Sequence, residues 1–109
     1  MPIDFTPPMF IAGKLCWDIH NDERQTTFWV SATTFKYAVG LRPRARDDDA
    51  AARTLADKNW TVLELIAKEA LQTGRISKTD ASKGWQVHHT LDDRVFTDLF
   101  KKYEAQIVR

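Results

Sequence analysis

The chain has 109 residues, 43% of them hydrophobic and 28% charged, with 16 basic against 15 acidic side chains for a formal net charge of +1. A domain of this length buries roughly 65% of the surface its unfolded form exposes, enough for a core without staples, and the charge balance argues against a dedicated polyanion binder. Cys16 is the single cysteine, which excludes an internal disulfide framework and leaves a small buried thiol as its expected state.

The opening stretch "MPIDFTPPMFIAGKL" carries Asp4, Pro7 and Pro8. It has neither the basic start nor the unbroken apolar run of a signal peptide. No apolar stretch approaches the ~18 residues of a membrane span. A cytoplasmic location without membrane association is expected. Pro2, Pro7 and Pro8 block regular hydrogen bonding, so residues 1–13 are read as an extended arm that packs down through Phe5, Met9, Phe10 and Ile11.

"KLCWDI" reads as a first strand, because Leu15, Trp17 and Ile19 alternate with Lys14, Cys16 and Asp18. "HNDER" gathers turn formers, and "TTFWVS" is the second strand of a hairpin with a loop of about five residues. Ser31, Thr33 or Thr34 is placed to cap a short helix, "TFKYAV", which Gly40 ends. "LRPRAR" is a loop, and the "DDD" of Asp47 to Asp49 suits a helix start, where carboxylates oppose the positive dipole end. The helix that follows runs to about Thr73, with Leu55, Val62, Leu63, Ile66, Ala67, Ala70 and Leu71 on one stripe. Asn59 marks a kink or a boundary within it. "RISKTDASKG" is read as a polar loop and "WQVHHT" as the third strand. Thr90 or Asp92 then caps a last helix with the stripe Val95, Phe96, Leu99, Phe100, Tyr103 and Ile107.

These elements predict one α+β domain over 1–109. A small antiparallel sheet, hairpin plus third strand, is packed by a long central helix and a C-terminal helix, in the order β-β-α-α-β-α.

The chemistry-bearing residues are few. Neighbouring side chains of a strand point to opposite faces, so His88 and His89 do not reach one metal ion from a regular strand. No zinc spacing, phosphate loop or nucleophile elbow is present. His20 with Asp18, Asp22 and Glu23 converges on a cation only if the tertiary fold obliges. No catalytic residue, metal site or cofactor is therefore assigned, and a metal-dependent enzyme with fold-assembled histidines is a minor alternative.

If Leu15, Trp17, Ile19, Phe28, Val30, Trp85 and Val87 face the core, an outer sheet face remains. It carries Lys14, Cys16, Asp18, Thr27, Trp29, Ser31, Gln86 and His88. An aromatic among polar neighbours suits a partner surface. The function expected is a non-enzymatic protein-interaction module or homodimer that uses Trp29, Lys14, Cys16, Thr27, Gln86 and His88. The competing expectation is that the N-terminal arm, through Phe10 or Ile11, covers Trp29. A nucleic-acid-associated regulator is the alternative, because Arg42, Arg44 and Arg46 alternate in the 42–46 loop and guanidinium groups bind phosphate. The adjacent aspartates offset that field within a Debye length of ~8 Å.

Overall fold

The computed structural model describes residues 8–21, 24–41, 49–83 and 86–108, with the side chains of 20, 21, 24, 82 and 83 outside that description. Strands β1 (Met9–Ile11), β2 (Lys14–Asn21) and β3 (Arg24–Ser31) lead into helices α1 (Ala32–Ala38), α2 (Asp49–Lys58) and α3 (Trp60–Thr73). Strands β4 (Lys78–Lys83) and β5 (Gln86–Thr90) follow, then helix α4 (Asp93–Lys102). The fold is α+β. Its sheet differs from the expected one: five strands in the order β1-β2-β3-β5-β4, antiparallel except where β5 runs parallel to β3.

The alternation in β2 and β3 has the physical consequence it implies. Leu15, Trp17, Ile19, Phe28 and Val30 are buried in one core, joined by Phe35 of α1, Ala52 and Ala56 of α2, Val62, Leu63 and Ile66 of α3, and Phe96, Leu99 and Phe100 of α4. Trp17 is the centre of that core. Its ring lies 5.9 Å from Phe28 and 6.2 Å from Phe96, and its indole N–H donates to the Leu63 carbonyl at 2.9 Å. That bond ties the sheet to α3 while satisfying a buried donor.

Several boundaries move. The β2–β3 pairing continues to Asn21↔Arg24, so the five-residue loop is replaced by a connection of residues 22–23, which lie outside the described residues. Met9–Ile11 of the arm is a sheet strand, paired Met9↔Cys16 through Ile11↔Lys14. The stretch expected as a loop contains β4, an edge strand. It escapes notice because Lys78, Thr79, Asp80 and Ala81 are all exposed, so no apolar alternation is required of them. Charged residues on an edge also discourage pairing with other chains.

The long helix is two. Asn59 ends α2 at φ −111°, and its side chain is fully engaged: Nδ2 donates to the Leu55 and Val108 carbonyls at 2.8 and 2.7 Å, while Oδ1 accepts from the Val108 N–H at 2.6 Å. Gly74, left-handed at φ 70°, terminates α3 as its position suggests. Asp92 is the cap of α4, accepting from the Arg94 N–H at 2.8 Å. Ser31 precedes α1 without a side-chain capping bond, because its hydroxyl pairs with that of Thr33 at 2.7 Å. Buried Lys36 forms an ion pair with Asp49, which docks the first turn of α2 against α1. No helix among the described residues is long and apolar enough to cross a membrane.

Candidate functional site

The sheet face opposite the core is where the singled-out side chains gather. Register fixes its rows. Met9, Cys16, Trp29, Thr90 and Lys78 run across all five strands, and Asp18, Thr27, His88 and Asp80 form the next row. Trp29 and His88 stand on adjacent, parallel strands. The indole Nε1–H donates to His88 Nδ1 at 2.9 Å, with ring centroids 5.9 Å apart. An indole nitrogen can only donate, so His88 Nδ1 must accept, and the proton of the neutral ring sits on Nε2. The bond holds a half-buried Trp29 in one orientation instead of leaving it to sweep the face.

Beneath the rims lies a polar floor. Cys16, Asp18 and Thr27 are only 7%, 7% and 5% exposed. This corrects the expectation that the whole outer set faces water: short side chains lie below longer neighbours, with Met9, Trp29, Gln25, Gln86 and His88 bordering the same depression. Asp18 accepts from the Thr27 hydroxyl at 2.6 Å and from Gln25 Nε2 at 3.1 Å, so the buried carboxylate is satisfied. Burial pushes the Cys16 thiol up, and the Asp18 charge adds to this while a bond from the Met9 backbone opposes it. A thiol held up in that way is a poor nucleophile.

A second, wider depression of about 400 Å³ adjoins the first. Its lining comes from Ile11 and Ala12 of the first turn, Lys14, Trp29, His88 and Thr90, and Lys78 and Asp80 of the edge strand. Ile11 and Met9 are 43% and 41% exposed beside it. Phe10 turns the other way and packs on Phe35, at 6.1 Å between ring centroids. Among the described residues of the arm, 8–13, Ile11 and Ala12 therefore wall the Trp29 surface, while Phe10 packs away from it. Ala12 and Gly13 form the turn, at φ 51° and 76°, the left-handed pair that a primed two-residue hairpin needs.

The sequence set is brought together, with Lys14, Trp29 and His88 at the wide depression and Cys16, Thr27 and Gln86 at the narrow one. Thr90 shares the His88 face by the alternation of β5, and the sequence offers Ile11 only as a cover for Trp29; Met9, Ala12, Lys78 and Asp80 were missed from sequence. Strands β1 and β4 carry little alternation and Ala12 lies in a turn, so no periodic signal placed these four on this face. His89 points oppositely, with its ring 5.3 Å from Phe28 and its Nδ1 sharing a hydrogen bond with the Thr79 hydroxyl at 2.9 Å. The two histidines thus serve different faces. Asp22, Glu23 and Trp85 lie outside the described residues, as do the His20 side chain and Arg42, Arg44 and Arg46 of the basic loop. Among the described residues no three His, Cys, Asp or Glu side chains converge on a point fit for a metal ion. Compared with known proteins, the chain matches no family model, no curated protein and no solved structure.

Proposed function

We propose that the chain is a non-enzymatic protein-interaction module, and that the open sheet face around Trp29 is the surface it uses. The observation carrying this reading is the Trp29–His88 bond. A large aromatic on the face away from the core is locked in one rotamer, with exposed Met9 and Ile11 beside it and lysines at the margin. An anchor that is already ordered loses less side-chain entropy when a partner closes over it. Buried Cys16, with its raised thiol, and satisfied Asp18 belong to the floor of such a surface, not to a reacting centre. The partner is another protein or a second copy of the chain. The reading places the chain in the cytoplasm, where a lone thiol stays reduced.

A photo-crosslinking side chain installed at Ile11, on the rim, tests the assignment, with one at exposed Lys68 of α3 as the control. The expected result is a discrete adduct from position 11, at twice the chain mass or at chain plus partner, that disappears with Trp29→Ala. Equal adducts from position 68, or adducts indifferent to Trp29→Ala, would overturn it.

A further inference from the structure

The wide depression has a charge pattern that selects among protein partners. Lys14 stands on β2 and Lys78 on β4, with β3 and β5 between them. Three strand spacings and a two-residue offset in register separate the two positions by roughly 15 Å. Between them lie the Trp29 indole and Thr90, with Ile11 at one wall. Asp80 borders the same depression on the strand of Lys78, in register with His88. It stands two residues beyond Lys78, on the side away from Lys14, so among the described residues no carboxylate borders the depression between the two lysines, and the lysine ends are the places for negative charge.

In an extended peptide, side chains on one face repeat every second residue, so acidic residues four apart are separated by roughly 13–14 Å, near the span between the two lysines. The residue midway then faces the indole. We infer that the occupant of this depression is an extended segment of a partner protein with acid, apolar and acid side chains at alternate positions, lying across the strands with its apolar residue on Trp29. This rests on the open-face reading and adds the chemistry of what fills it. The strained turn fits the picture: Ala12, a left-handed non-glycine residue, shapes the wall that such a segment meets.

The probe is a fluorescein-labelled, end-blocked peptide, Glu-Thr-Val-Thr-Glu, whose β-branched residues favour extension. Its binding to the intact chain is read by fluorescence anisotropy, against Lys-Thr-Val-Thr-Lys as the control. The acidic peptide is expected to bind, with affinity reduced about tenfold by Lys14→Glu with Lys78→Glu, and again by raising salt, as rim charges dictate. Both lysines are exposed, so matching circular dichroism and thermal midpoints verify that the variant folds. Three outcomes overturn the inference: the basic peptide binding as well, the lysine variant binding undiminished, or no peptide binding while light scattering shows the chain doubling its mass. In the last two cases a loss of association on Trp29→Ala preserves the open-face reading and assigns the surface to a different occupant. Association untouched by Trp29→Ala removes both.

Discussion

At Ala12 the backbone adopts a conformation its side chain disfavours, since φ is 51° where L-residues other than glycine are strained. Holding a non-glycine residue there costs about 1 kcal/mol or more. Ala12→Gly is therefore expected to raise stability by about 0.5–1 kcal/mol, read as a higher urea midpoint with an unchanged m-value. His89 supplies the matching prediction for pH. Burial, aided by the neighbouring His88, holds its pKa below the ordinary histidine value. The folded chain then binds fewer protons than the unfolded one, so stability rises with pH through this interval. The contribution is complete above the unfolded value of about 6.5 and is lost as pH falls through the lower folded value. Urea titrations between pH 7.5 and 5 should show that loss, and His89→Gln should flatten it.

Among the elements, the α2–α3 junction depends on one amide. Asn59 satisfies the Val108 backbone on both sides and one carbonyl of α2, at 3% exposure. Asn59→Ala strands those groups, and the expected loss is about 1–3 kcal/mol in chemical denaturation. Faster amide exchange at Val108 should accompany it, because that N–H loses its Asn59 Oδ1 acceptor. The same junction was half legible: a polar residue inside an apolar stripe signals a boundary, but its partner 49 residues away leaves no local trace. Strands β2 and β3 were readable because one face is buried, and burial writes a period of two into the sequence. Strand β4 wrote none, being exposed along its described side chains, and β1 is three residues long. The parallel β3–β5 pairing is a property of the crossover through the helices, not of either strand alone. This is why Trp29 and His88 could be placed on one face from sequence, whereas the Lys78 and Asp80 wall of the depression could not.

For the whole molecule, the decisive asymmetry is a core drawn from all four helices on one side of the sheet and an ordered indole on the other. Trp29→Ala should cost little stability, about 1–2 kcal/mol for a half-buried side chain, yet remove association; an equal change at Trp17 should cost about 3–5 kcal/mol. The two indoles also provide the most direct test, because each N–H reports its own surroundings. With the tryptophan side chains ¹⁵N-labelled and the Trp29 resonance assigned by Trp29→Phe, the indole signals are followed while partner peptide is added or protein concentration raised. The account predicts that the Trp29 signal, bonded to His88, moves while that of Trp17, bonded to the Leu63 carbonyl in the core, stays fixed. A Trp29 signal that remains unmoved under both conditions would contradict it.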